Sequence, residues 1–138
     1  MPSDPPRRTG RPLSPHLQIY QPQITSGISI FHRFTAVGLA GGFAVLVAWL
    51  FCLAWMPEWY GPFTDILISP AGRFFLFGWT WAYFFHIGAT LRHLAWDMCL
   101  GLSLKSVYLT GYLMLAASFF LTFAVWIAVL WREELLCL

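Results

Sequence analysis

Three long runs without a formal charge constrain this chain more than any other feature. They are Phe34 to Met56, Phe74 to Leu91 and Val107 to Trp131, of 23, 18 and 25 residues. A hydrocarbon core about 30 Å thick takes roughly 20 helical residues at about 1.5 Å each, so each run is long enough to span one. Lipid offers no water to the backbone N–H and C=O groups, which makes the α-helix the natural form for such a run. Composition agrees. Of 138 residues, 59% are hydrophobic and only 10% are charged, against about 25% charged in a soluble domain. The expected fold is an all-α integral membrane protein. Its three transmembrane helices would cover about 28–56, 73–97 and 106–131, within a membrane domain of residues 24–138.

Punctuation between the runs sets the expected boundaries. Residues 1–23 are polar and carry Pro2, Pro5, Pro6, Pro12, Pro15 and Pro22, the composition of an extended arm without a core of its own. The leader resembles neither a secretory signal nor an amphipathic transit peptide, which favours a bacterial origin. The first helix is expected to start at Ile24 or Thr25, with Thr25 or Ser26 as N-cap, and to end at Pro57. Within it, Gly38 and Gly42 form a G-x-x-x-G pair, which suits close helix packing or room for a flat cofactor. Residues 57–73, with Pro57, Gly61, Pro62, Pro70 and Gly72, suggest a loop, and Trp55, Trp59 and Tyr60 suit a membrane interface. A polar connection is expected over about 92–106, and Arg132, Glu133 and Glu134 are expected to stop the third helix.

Three spans would put the ends of the chain on opposite sides. Arg7, Arg8, Arg11, Arg33, Arg92 and Lys105 then share one side, and Arg73 and Arg132 the other. The positive-inside rule places the N-terminus in the cytoplasm. Cys52, Cys99 and Cys137 are widely spaced and form no disulfide framework, zinc site or iron–sulfur motif. A redox centre here must be held by something other than thiolates.

The candidate is a histidine. His86 lies inside the second run, while Arg92 and His93 mark its expected exit into water. An imidazole at membrane depth is costly without a partner. It is either an interhelical hydrogen-bonding group or a ligand, for instance to haem iron. The antiparallel course brings it towards Ser29, His32 and Arg33 on the first helix, where Ser29 shares a face with Arg33 at i, i+4 and with His32 at i, i+3. Arg33 and His32 suit haem propionates or a quinone carbonyl, and Ser29 suits a quinone oxygen. Snorkelling to lipid phosphate is the plain alternative for Arg33 and Arg92. His93 stands about 10 Å along the helix from His86, and His32 is expected nearer the water boundary, so neither suits a second axial position. Any second ligand would belong to another chain.

Two stretches carry a family resemblance over nearly the whole chain. One is RPLSPHLQIYQPQITSGISIFHRFT, Arg11 to Thr35, with R-P-L followed by S-x-x-H-R-x-T. The other is H-x-x-x-x-x-R-H-L-x-W-D, His86 to Asp97. Together, around three apolar runs, they resemble the cytochrome b subunits that anchor succinate dehydrogenase in the membrane. The resemblance implies that His86 is an axial ligand of haem b, whose iron takes its other ligand from a second small anchor subunit in a shared helical bundle. It implies that His32 and Arg33 lie near the haem propionates and that Ser29 and Arg33 line a ubiquinone site beside the iron–sulfur subunit. Succinate chemistry would belong to the flavoprotein subunit, the setting to a bacterial inner membrane and its lipid bilayer, and nucleic acid would have no part. The family usually has glycine or alanine where Thr90 stands, and a small residue at Cys99. Thr90 would crowd the haem or bond back to the His86 carbonyl. A haem-free structural anchor, related to quinol–fumarate reductases, is the alternative. A small transporter fits poorly, with no internal repeat and no intramembrane carboxylate.

Overall fold

Prolines and the residues before them punctuate the first half of the fold. The computed structural model describes residues 23–136, with side chains to Arg132, and comprises α1 (Ile24–Trp55), α2 (Pro57–Ile68), α3 (Pro70–Asp97) and α4 (Leu104–Leu136). The proline-rich arm lies outside the described residues, as does Cys137. Helix α1 starts at Ile24 as expected, but its N-cap is Gln23, which makes no side-chain cap bond. It stops at Met56 (φ −137°, ψ 64°), the residue before Pro57, because proline disfavours helical geometry in its predecessor.

The expected loop over 57–73 is largely helical. Pro57 opens α2 and Pro70 opens α3, each at a first-turn position where the missing N–H costs nothing. Ser69 caps α3 by accepting from the Gly72 N–H at 3.2 Å. Thus two of the prolines that suggest a loop are helix starts. Helix α2 is tied back to α1 where Trp49 Nε1 donates to Thr64 Oγ1 at 3.0 Å.

The connection after α3 is shorter than expected. Helix α3 runs through Arg92 and His93 to Asp97, and a tight turn then leads into α4. Cys99 N–H bonds Trp96 O at 2.8 Å and Leu100 N–H bonds Ala95 O at 2.9 Å. These are the two bonds of a Schellman cap, which places Cys99 in the left-handed region at φ 58°. Glycine normally takes that position. At the other end, Arg132, Glu133 and Glu134 do not stop α4, which continues to Leu136.

Helices α1 (Ile24–Trp55) and α4 (over Leu104–Arg132) are long and apolar enough to cross a membrane. Helix α3 has the length, at 28 residues, but falls below the same apolar level. It carries Trp79, Trp81, Tyr83 and His86 in mid-course. It packs against α1, α2 and α4. The buried centre is small: Ile28, Phe85, Ala89 and Met114. Outside it, Phe34, Val37, Phe74 and Phe120 are each more than 70% exposed. Such an apolar shell suits lipid or a partner rather than water.

The buried hydroxyls of Ser118 and Thr122 are satisfied within their own helix. Thr122 Oγ1 donates to Ser118 O at 2.7 Å and Ser118 Oγ to Leu115 O at 2.8 Å. Trp126 Nε1 donates across to Thr80 Oγ1 at 3.3 Å. Arg92 departs from the expectation that it marks an exit into water. Its side chain is buried, Nη2 donates to Val107 O at 2.9 Å and the guanidinium lies 4.3 Å from the Trp96 ring centroid. A Cβ at Gly111 on α4 would press on Ile28 Cδ1 at 3.1 Å and only touch the Arg92 guanidinium, at 3.7 Å. Arg92 therefore braces α3 against α4 instead of snorkelling.

Candidate functional site

The antiparallel packing of α1 on α3 brings the N-terminal part of α1 beside the C-terminal half of α3. His32 and His86 meet there. Their ring centroids are 4.1 Å apart and their planes differ by 19°, a face-to-face stack. The antiparallel course expected from the sequence thus brings His32 to His86. Packing puts the two imidazoles side by side. On the other side of His32 lies His93, at 5.5 Å between centroids, and His93 meets the Trp96 ring edge-on at 5.4 Å. Three imidazoles thus form a row, with His32 in the middle. Among the described residues, no group of three or more His, Cys, Asp or Glu has the arrangement of a metal site.

A stacked pair is not a pair of axial ligands. Two histidines that share one haem iron point their nitrogens at each other across the metal, whereas His32 presents its ring face to His86. The fifth and sixth positions of one iron cannot both come from this pair as arranged.

Thr35 is the polar neighbour of both rings. It is 7% exposed. Its Oγ1 donates to His32 O at 3.0 Å and lies 3.5 Å from His86 Nδ1. His32 Nε2 is buried without a hydrogen-bond partner. A buried polar atom in that state leaves room for a missing donor or acceptor. Thr90 bonds back to the His86 carbonyl, with Oγ1 to O at 2.9 Å, which is one of the two outcomes its position suggests.

Small residues lie beside this cluster. Gly78 and Ala82 precede His86 by two turns and one turn on α3. Together with Gly38 of α1 they line an open groove of ≈ 320 Å³ whose other walls are Phe74, Phe75 and Trp79. A Cβ at Gly38 or Gly78 would meet nothing within 4 Å, whereas one at Gly42 would run into the Trp79 indole. The G-x-x-x-G pair is therefore split. Gly42 is a packing residue and Gly38 faces open space. His86 does not line this groove but follows Ala82, one of its walls, by one turn, and the His32 ring stacked on it carries an unpartnered Nε2, a donor set that fits haem held through His86.

Ser29 and Arg33 stay on the exposed face of α1. Among the described residues, no hydrogen bond, ion pair or ring contact joins them to the imidazole row. The structure brings together His32 and His86 but leaves Ser29 and Arg33 facing outward, one turn apart. Sequence reasoning missed Thr35 as a site residue, although it closes the S-x-x-H-R-x-T stretch and follows His32 at i, i+3, the spacing of a shared helix face.

Known proteins are similar to this chain in sequence. The family model for the succinate dehydrogenase/fumarate reductase transmembrane subunit matches residues 7–125. The chain is 40% identical over 129 residues to the succinate dehydrogenase cytochrome b560 subunit of Reclinomonas americana, with 85% of each chain covered. It is 38% identical over 117 residues to the cytochrome b556 subunit of Rickettsia bellii, covering 85% of this chain and 91% of that one. With the cytochrome b556 subunit of Paracoccus denitrificans it shares 32% over 111 residues, covering 80% and 85%.

Proposed function

The chain belongs to the family of succinate dehydrogenase/fumarate reductase transmembrane subunits, and from that premise we propose that it is the cytochrome b anchor of a succinate:ubiquinone oxidoreductase. In this reading α1, α3 and α4 all cross a bacterial inner membrane, with the N-terminus in the cytoplasm and the imidazole row in the cytoplasmic half. The excess of Arg and Lys beside the imidazole end supports that orientation. A second small anchor subunit completes the helical bundle. The arm and the cytoplasmic ends of the helices dock the iron–sulfur subunit, and the flavoprotein subunit beyond it oxidises succinate.

His86 would hold haem b through Nε2, and the second anchor subunit would supply the other ligand. The bound group would accept and release one electron at a time. His32 Nε2 and the Arg33 guanidinium would hold the propionates, a charge-assisted pairing with donors on one turn of α1. Arg33 also polarises a ubiquinone carbonyl, and Ser29 donates to a quinone oxygen. Two electrons from the iron–sulfur subunit and two protons then convert ubiquinone to ubiquinol. The observation that carries this reading is His86 itself, an imidazole between α1 and α3 stacked on a ring whose Nε2 is buried without a partner. The stack with His32 favours one other reading, a haem-free anchor in which the two rings serve only to pack.

A reduced-minus-oxidised absorption spectrum of the detergent-purified complex separates the two. The expected result is a low-spin b-type signal that disappears in an assembled His86→Ala complex. An assembled complex without that signal would leave the haem-free anchor.

A further inference from the structure

We propose that Thr35 is a positioning residue for His86, fixing which ring nitrogen is free to bind metal. The inference rests on the proposed role of His86 as a haem ligand and extends it to a residue on the other helix.

A single hydrogen atom sets the roles of donor and acceptor here. A threonine hydroxyl has one hydrogen to donate and two lone pairs. Thr35 spends its hydrogen on His32 O, at 3.0 Å within α1. Towards His86, 51 positions further on, Oγ1 can therefore only accept. The matching donor is the Nδ1–H of His86. A neutral imidazole with its proton on Nδ1 keeps its lone pair on Nε2, so the hydroxyl selects the tautomer that ligates through Nε2. Ligand histidines characteristically donate their other N–H to an oxygen, which fixes the ring and raises its basicity.

Two contacts from α1 act on the same ring. His32 covers its face at 4.1 Å, and Thr35 holds its Nδ1 edge at 3.5 Å. The second distance is longer than the usual range of about 2.7–3.2 Å for N–H···O, so the bond is a loose one. Metal at Nε2 draws electron density from the ring and makes Nδ1–H a stronger donor, which tightens the bond. Thr35 is buried, so water does not replace it.

The test uses the purified complex with Thr35→Val, which keeps the shape and loses the hydroxyl, and Thr35→Ser, which keeps the hydroxyl. Thr35→Ala paired with Thr35→Ser gives the same contrast if valine disturbs assembly. Removing a partner of this kind costs roughly tenfold or more in metal affinity. Haem transfer to an excess of a haem-scavenging protein should accelerate about tenfold in Thr35→Val and stay at the wild-type rate in Thr35→Ser. The midpoint potential should rise in Thr35→Val, because a less basic imidazole stabilises ferric iron less. Wild-type release and potential in Thr35→Val would overturn the proposal, as would equal impairment in Val and Ser. If His86→Ala abolishes the haem signal while Thr35→Val is silent, only the positioning role fails. If wild type has no low-spin haem, or His86→Ala retains it, the ligand assignment fails and the positioning role with it.

Discussion

Gly41 and Gly42 are neighbours on α1, yet one added methyl group should affect them in opposite ways. A Cβ at Gly42 runs into the Trp79 indole, while one at Gly41 meets nothing within 4 Å. Both lie in the helix interior, so replacing glycine by alanine gains the same helix propensity, about 0.8–1.0 kcal/mol. Overpacking a closed contact costs about 1–3 kcal/mol. Trp79 is poorly placed to yield, because its ring meets Phe43 edge-on at 5.5 Å. Gly41→Ala should therefore stabilise by about 1 kcal/mol, and Gly42→Ala should range from neutral to about 2 kcal/mol destabilising. The gap of about 1–3 kcal/mol is roughly fivefold to over a hundredfold in the unfolding constant. Denaturation of the detergent-solubilised complex, followed by far-ultraviolet circular dichroism and tryptophan fluorescence, reads it. Because the propensity gain cancels between neighbours, equal shifts for the two alanines would refute the packing argument.

Two further outcomes follow from the cap and the exposed face of α1. Cys99→Gly should stabilise the α3–α4 turn by about 1–2 kcal/mol, the cost of holding a side chain at left-handed φ; no gain in the same denaturation assay would show that this turn relaxes without penalty. Arg33→Ala should lower ubiquinone reduction by roughly 10- to 100-fold, the worth of a hydrogen bond from a charged group, while succinate oxidation by an artificial dye persists. Equal loss of both activities would mean failed assembly rather than a quinone contact.

Much of the helical layout was legible in the sequence because charge is excluded from hydrocarbon, so charge-free runs show where long helices lie. The start of α1 at Ile24 and its end before Pro57 were legible for local reasons, since proline restricts its own residue and its predecessor. The same rule misled over 57–73. Proline is tolerated at a first helical turn as well as in a loop, and only the surrounding chain decides which. The Trp49–Thr64 bond and the Ser69 cap show α2 and α3 settled on that alternative. Arg92 was misread because a charged residue at the end of an apolar run suggests water, whereas the guanidinium finds the Val107 carbonyl of α4 and the Trp96 ring.

The class was readable without coordinates: long apolar helices, an imidazole within one of them, and motifs that mark the family. These depend on local composition and on spacing along one helix. Tertiary structure alone decided the partners of that imidazole. The stack of His86 on His32, the hydroxyl of Thr35 at Nδ1 and the division of labour between Gly38 and Gly42 all depend on the rotation and register of α1 against α3. Side-chain packing sets that register, and a shift of one residue would turn each α1 side chain by about 100° around its helix. No pattern within either helix encodes that angle.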